Sequence, residues 1–293
     1  MHTAGLYVDY IELILFFGLI AFGLNWFAAS RGYFTYHPRV VPAKGTLKFV
    51  SVVVVFAIYL ILSMVVSSIF IRLLETIYSI DNMRPPFTAM GWVQLTIILL
   101  TLFFFYFYTK TLDPSLVKRI FKDRSVANSK PISWDFCMGI MTWIISFPLV
   151  IAVGQLVDML LYVFTGFENY EQVAVRYLKM TLSSPPMLAV ALFTILIAAP
   201  AIEEFLFRGF LQTYLKRYVS VKWAIVLSSL CFALFHLAPS QGIGNISLVA
   251  SLFTFALYLG FIYERQASLF ASFALHMTFN TVSTFRIMFF PDS

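Results

Sequence analysis

The chain has 293 residues, of which 60% are hydrophobic and 12% are charged, and its mean hydropathy is +0.87. Soluble domains carry about 25% charged residues, so this composition argues against a soluble globular protein. It predicts an all-α fold, a polytopic membrane bundle. Two cysteines exclude a disulfide framework. No motif for nucleic acid is present, and we expect the net charge of +6 to face membrane lipid.

Eight hydrophobic runs are long enough to cross a bilayer, which needs about 20 residues. The first carries Asp9 and Glu12 in place of a basic leader, so we expect a retained span and not a cleaved signal peptide. In chain order the runs cover approximately residues 10–29, 49–71, 89–109, 136–164, 187–215, 222–238, 246–263 and 268–290. The sequence therefore predicts about eight transmembrane helices.

Basic residues are unevenly distributed among the connecting loops. The odd-numbered loops hold 14 Lys and Arg residues, whereas the even-numbered loops hold four. Basic loops stay on the cytoplasmic side of a membrane. The pattern predicts that the odd-numbered loops are cytoplasmic and that both termini lie outside.

The fifth run ends in three charged residues, in the stretch PAIEEFLFRGF. Glu204 and Arg208 are four residues apart, so they can pair on one helix face. Glu203 points about 140° away from Arg208 and has no partner on its own helix. Pro200 precedes them by one turn and is expected to kink or open the helix. The stretch therefore predicts one neutralised and one unpaired carboxylate.

Two further polar motifs lie on the next runs. Phe232 and His236 are four residues apart, as are His276 and Asn280, so each pair shares a helix face. Ionisable residues inside a membrane usually mark function. With Glu203 as a general base, His236 could position water or transfer a proton. His276 and Asn280 could donate hydrogen bonds to a developing oxyanion.

Other readings of the same residues stay open at this point. The glutamates and histidines could bind a divalent metal such as zinc, although HxxxN lacks the histidine pair of HExxH. We favour the metal-free reading and expect no cofactor. A non-catalytic membrane scaffold or sensor is the main alternative function. A proton-coupled transporter would need broken helices in repeated halves, and the first half has almost no intramembrane charge.

Three ordered motifs, EExxxR, FxxxH and HxxxN, resemble the CAAX protease and bacteriocin-processing family of intramembrane endopeptidases. The resemblance covers about residues 185–290. It implies an eight-helix type of bundle and a glutamate-dependent peptidase site that opens towards the cytoplasm. It implies that Glu203 is the base and acts with His236. It implies that His276 and Asn280 form the oxyanion site. Glu204, Arg208 and Phe232 would be supporting residues.

The resemblance also sets expectations for the whole chain. Residues 1–180 would supply N-terminal helices and basic cytoplasmic loops, and residues 181–293 would form the catalytic core. The substrate would be a membrane-associated or lipid-anchored protein or peptide. The stretches LFHLAP and HMTFN are more similar to prokaryotic members, which implies a prokaryotic cell membrane and leaves open whether the substrate is prenylated.

Overall fold

The computed structural model describes residues 2–36, 46–79, 86–125, 130–166 and 173–290. Within these ranges the fold is all-helical, and one isolated antiparallel bridge between Lys122 and Ser268 is the only β pairing. Three basic residues used for the loop prediction, Arg39, Lys44 and Arg84, lie outside the described residues.

Thirteen α-helices follow one another along the described ranges. They are α1 (His2–Ser30), α2 (Phe49–Leu60), α3 (Ser67–Ser79), α4 (Phe87–Thr111), α5 (Pro114–Lys122), α6 (Ile132–Thr165), α7 (Val173–Thr181), α8 (Pro185–Phe193), α9 (Ala199–Glu204), α10 (Thr213–Leu215), α11 (Val221–Leu234), α12 (Asn245–Gln266) and α13 (Leu269–Phe289).

Several of these helices are joined end to end by turns of a different pitch. A π-helical turn, Ile61–Val66, connects α2 to α3. Two more, Thr194–Ala198 and Phe205–Gln212, connect α8 to α9 and α9 to α10. We call the continuous segment from α8 to α10 the site helix. The opening predicted at Pro200 is present as π-helical widening on both sides of α9.

The polytopic membrane bundle is confirmed, whereas the count of eight spans is approximate. Six helices in the described part of the chain are long and apolar enough to cross a membrane. The sixth predicted run corresponds to α11, which has only 14 residues because the chain turns after Leu234. The eighth corresponds to α13, whose 21 residues are not among the six candidates. The six are Val8–Ser30, Phe49–Tyr78, Phe87–Thr111, Ile132–Thr165, Pro185–Leu215 and Pro239–Gln266.

Helix α5 is a short amphipathic helix that the hydrophobic runs did not indicate. It begins where Asp113 accepts a hydrogen bond from the backbone N–H of Ser115 at 2.7 Å, ahead of a proline at the first helical position. Its apolar face buries Leu116 and Ile120 in the core. This face holds α5 against the site helix and α13.

The end of α5 is tied to α6 by a buried ion pair. Lys122 Nζ donates to both carboxylate oxygens of Asp135, at 2.8 and 2.7 Å. The Lys122 side chain is 8% exposed and the Asp135 side chain is 0% exposed, so water hydrates neither charge well. The backbone N–H of Asp123 also donates to the carbonyl of Ala267, at 2.8 Å. The end of α5 is therefore fixed to the turn between α12 and α13.

Helix α6, with 34 residues, is the longest α-helix of the described ranges and packs against α1, α12 and α13. Its approach to α13 depends on Gly139. A Cβ at this position would lie 2.6 Å from the carbonyl oxygen of Ala271 and 2.8 Å from the backbone nitrogen of Leu275. Since glycine alone allows such a backbone contact, Gly139 sets how closely α13 lies against α6.

Candidate active site

Glu204 and Arg208 form the ion pair that their spacing predicts. Arg208 Nη1 lies 3.2 Å from Glu204 Oε1, and both side chains are fully buried. Arg208 Nη2 also donates to the carbonyl of Ala256 at 3.2 Å, and the guanidinium lies 4.6 Å from the ring centroid of Phe232. A buried charge is tolerated when it is paired and hydrogen-bonded. These contacts pair the two charges, while Arg208 Nε and Glu204 Oε2 are buried without a hydrogen-bond partner among the described residues.

Glu203 lies in a different environment from Glu204. Its Oε2 is 3.6 Å from His236 Nε2 and 3.7 Å from His276 Nε2. These distances are longer than direct hydrogen bonds, so the contacts are electrostatic. The Glu203 side chain is 19% exposed whereas that of Glu204 is 0% exposed. One carboxylate oxygen, Glu203 Oε2, therefore lies near two imidazole nitrogens and is itself buried without a hydrogen-bond partner in the described part of the chain, although the side chain as a whole is partly accessible.

The orientation of each imidazole follows from the bond at its other nitrogen. His236 Nδ1 lies 2.8 Å from the carbonyl oxygen of Phe232, and His276 Nδ1 lies 2.9 Å from Glu204 Oε1. Both oxygens only accept hydrogen bonds, so both Nδ1 atoms carry hydrogen and donate. The Nε2 atoms of both rings consequently face Glu203.

The contact between Glu204 and His276 is a feature that the sequence did not predict. Glu204 Oε1 accepts from Arg208 and from His276, and so links two side chains on different helices. The residues of the second contact are 72 positions apart. No helical spacing relates them, and the only available signal was that both lie on intramembrane segments with few other polar groups.

Asn280 lies beside the first π-helical turn of the site helix. Its Nδ2 donates to the carbonyl of Ile195 at 2.8 Å, within Thr194–Ala198. A primary amide has two N–H groups, so one remains for another partner. Asn280 therefore ties α13 to the site helix with one hydrogen.

Three donors, two on the site helix and one on the residue directly after it, face three acceptors of α12, and both sets are spaced by four residues. We call this arrangement the α12 ladder. Its pairs are Arg208 with the carbonyl of Ala256 (3.2 Å), Gln212 with the carbonyl of Gly260 (3.1 Å) and Lys216 with Glu264 Oε1 (2.7 Å). The matched spacing places one row of each helix against the other. It fixes the register of the residues that carry Glu203 and Glu204.

The donor types present would suit zinc, which binds imidazole and carboxylate groups. Across the described ranges, however, no group of three or more His, Cys, Asp and Glu side chains is arranged to hold a metal ion. The zinc alternative therefore has no ligand set among these residues. The expectation that no cofactor is needed stays a prediction.

Comparison with known proteins agrees with the resemblance drawn from the motifs. Residues 185–282 match the model of the family described as type II CAAX prenyl endopeptidase Rce1-like. The match includes both glutamates, both histidines and Asn280. No curated protein and no solved structure matches the chain. The match agrees with the suspected family over residues 185–282 of an integral membrane protein.

Proposed function

We propose that this membrane protein, with its Rce1-like region at residues 185–282, is an intramembrane endopeptidase that uses Glu203 to activate water. The observation that carries the proposal is the approach of two imidazole Nε2 atoms to Glu203 Oε2, at 3.6 and 3.7 Å. The proposed substrate is a membrane-associated or lipid-anchored protein or peptide.

Glu203 and His236 together suit the binding of the attacking water. The Nδ1–H of His236 is engaged by the carbonyl of Phe232, so neutral His236 offers a lone pair at Nε2. A water molecule in contact with this nitrogen and Glu203 Oε2 donates both of its hydrogens to the protein. Its own lone pairs then point away, towards a substrate carbonyl. Glu203 takes one of the two protons as the water attacks.

His276 suits the opposite role, because two carboxylates flank its ring. Glu204 Oε1 lies 2.9 Å from Nδ1 and Glu203 Oε2 lies 3.7 Å from Nε2. Arg208 is the other cation of this group. An imidazolium at His276 therefore gives two positive charges, which balance the carboxylates of Glu203 and Glu204. An imidazolium donates from both nitrogens. His276 Nε2–H and the remaining N–H of Asn280 are the proposed donors to the oxyanion.

The steps balance without another reactant. The water oxygen forms a bond to the carbonyl carbon while its proton moves to Glu203. The tetrahedral intermediate then breaks the carbon–nitrogen bond, and Glu203 returns the proton to the leaving amine. Glu204, Arg208 and Phe232 hold the two histidines and do not exchange protons with the substrate.

The remaining expectations are part of the same proposal. Residues 181–293 are the proposed catalytic core and residues 1–180 the proposed N-terminal region. The excess of basic residues in the odd-numbered loops supports a site that faces the cytoplasm and termini that lie outside. A prokaryotic cell membrane is the proposed location, with membrane lipid as a partner and no required cofactor.

The proposal is tested with the purified full chain in lipid nanodiscs. The substrates are a fluorogenic farnesylated CAAX peptide, its unmodified counterpart, and membranes from a strain that carries Glu203→Ala, in which uncleaved precursors accumulate. Loss of a general base lowers the rate by about 10²–10⁴-fold, so we expect cleavage to disappear in Glu203→Gln. Glu75→Gln, on the exposed side of α3, is the matched control and should cleave normally.

Two results would contradict the proposal. Full cleavage by Glu203→Gln, His236→Ala and His276→Ala would show that these residues do not form the site. A biological effect that survives Glu203→Gln, without any cleavage by the wild-type protein, would favour the scaffold alternative.

A further inference from the structure

Helix α2 contributes two aromatic side chains to the surroundings of His236. The ring of Phe56 packs edge-on against Phe207 of the site helix, with centroids 5.4 Å apart. One turn later, the ring of Tyr59 lies 5.7 Å from that of Phe235, the residue directly before His236. We call Phe56, Tyr59 and Phe235 the entrance aromatics. They bring the N-terminal region to the edge of the candidate site, although the family match does not extend to it.

The site is most accessible on the side where these aromatics lie. Phe235 is 36% exposed and the His236 side chain is 30% exposed, whereas that of His276 is 6% exposed. Tyr59 is partly buried, and its ring contacts Phe235, which directly precedes the exposed edge of His236.

Among the described residues, neither Glu203 nor His236 has a free hydrogen-bond donor on this side. Glu203 Oε2 accepts, and the Nδ1–H of His236 is already bound by a backbone carbonyl. An extended peptide presents main-chain carbonyl oxygens that need donors when water is excluded. A tyrosine hydroxyl is a neutral donor on an apolar ring, a combination suited to places with one wet and one apolar end. Tyr59 is the residue of the entrance aromatics that can meet this need.

The backbone carbonyl of Tyr59 is hydrogen-bonded, and the α-helix gives way to a π-helical turn shortly after this residue. The π-helical turn Ile61–Val66 begins two residues later. Ser63 Oγ donates to the carbonyl oxygen of Tyr59 at 2.7 Å. π-helical turns occur frequently at functional sites. The phenol is thus presented from a backbone position whose own polar group is satisfied.

We propose that Tyr59 is a substrate-contacting residue, whose hydroxyl donates a hydrogen bond to a main-chain carbonyl of the bound peptide next to the scissile bond. The substrate class is the one given above, an extended segment of a membrane-associated peptide, so the inference rests on the proposed function. It assigns to α2 one wall of the entrance to the site.

The first test compares Tyr59→Phe with wild type on the peptide or precursor that wild type cleaves and Glu203→Gln does not. Loss of one neutral hydrogen bond corresponds to about a twofold to tenfold lower kcat/KM, and the retained ring preserves packing. Tyr106→Phe, an exposed tyrosine on α4, is the matched control and should behave as wild type. An unchanged kcat/KM in Tyr59→Phe would overturn the proposal.

A second measurement separates contact with substrate from a structural role. Peptides in which one carbonyl at a time is replaced by a methylene are compared in both proteins. We expect one replacement to weaken wild type but to have no further effect on Tyr59→Phe, because both changes remove the same hydrogen bond. Independent losses at every carbonyl would contradict a direct contact.

A third measurement does not need cleavage. p-Benzoylphenylalanine is placed at Tyr59, or at Tyr106 as control, in the full chain, and irradiated with the farnesylated CAAX peptide and with its unmodified counterpart. An adduct at position 59 alone is expected, and no adduct with either peptide would overturn the proposal. If an adduct forms but wild type cleaves nothing, Tyr59 lines a binding site and the peptidase proposal fails separately.

Discussion

Gly139 on α6 controls the position of the helix that carries His276. A Cβ at Gly139 would lie 2.6 Å from the carbonyl oxygen of Ala271, 2.7 Å from the Cβ of Ala274 and 2.8 Å from the backbone nitrogen of Leu275. Two of these three neighbours are backbone atoms of α13. They cannot rotate away as the end of a long side chain can, so Gly139→Ala must displace α13 from α6.

The required displacement can be estimated from these distances. The closest contact falls about 0.8 Å short of the 3.4 Å at which ordinary van der Waals contact begins. His276 directly follows Leu275, so its ring moves with the displaced helix. A misplacement of about 1 Å can cost about 100-fold in rate. We therefore expect Gly139→Ala to lower kcat by about 10- to 100-fold and stability by about 1–3 kcal/mol.

The assay measures cleavage and thermal unfolding of the purified protein in the same detergent. Gly23→Ala is the control, because a Cβ at this position of α1 meets nothing within 4 Å. It should leave activity unchanged and raise stability by up to about 1 kcal/mol, the helix-propensity difference between the two residues. Wild-type activity and stability in Gly139→Ala would refute the close approach of α6 and α13.

Three further predictions concern the elements around the site. Lys122→Met leaves the buried carboxylate of Asp135 without its cation, so we expect the free energy of unfolding to fall by about 3–5 kcal/mol, measured by denaturant titration. Gly260→Ala places a Cβ 2.7 Å from Gln212 Oε1 in the α12 ladder, and the same titration should show a loss of about 1–3 kcal/mol. Hydrogen bonds from the first turn of α5 lower the pKa of Asp113 below its ordinary value of 3.8. Its carboxylate therefore stabilises the fold above pH 3.8. This contribution, measured as the difference in Tm from Asp113→Asn, should disappear as the pH falls through the lowered pKa.

Each of these predictions has a matched comparison. Lys118→Met removes an exposed charge from the same helix and should change stability by less than about 0.5 kcal/mol. Combining Lys122→Met with Asp135→Leu should recover most of the loss, because no unpaired charge remains. Equal effects of the two lysine substitutions would contradict the buried ion pair. If Gly260→Ala is as stable as Gly23→Ala, the α12 ladder is contradicted. If the Tm difference between wild type and Asp113→Asn does not change with pH, the proposed role of Asp113 is contradicted.

Much of the fold and part of the site could be predicted because the signals are local. Hydrophobic runs marked the long helices, since lipid imposes the same length requirement on each span. The spacing of four residues predicted the pairing of Glu204 with Arg208. Helix geometry also predicted that Glu203 would lack a partner on its own helix. Its neighbours are His236, in the turn that follows α11, and His276 on α13.

The remaining features depend on contacts between distant residues. In the π-helical turn Thr194–Ala198, the carbonyl of Ile195 accepts a hydrogen bond from Asn280, 85 positions away. A run of hydrophobic residues does not predict such a bond. Helix α5 has nine residues. It is too short for a membrane span, so no long hydrophobic run indicates it. Tyr59 lies in an ordinary apolar run, and only packing against Phe235 brings it to the site.

The polar row of the site helix constrains how the protein enters the membrane during synthesis. Each charged residue at the centre of an isolated helix costs about 2.5–3.5 kcal/mol on insertion, and Glu203, Glu204 and Arg208 lie within one and a half turns. Glu204 and Arg208 neutralise each other within the site helix, but their further partners on α12 and α13, and the partner of Glu203 in the turn after α11, follow later in the chain. We therefore expect the site helix to insert less stably until these partners have been translated, because a nascent chain that stops before α12 lacks the acceptors of the α12 ladder.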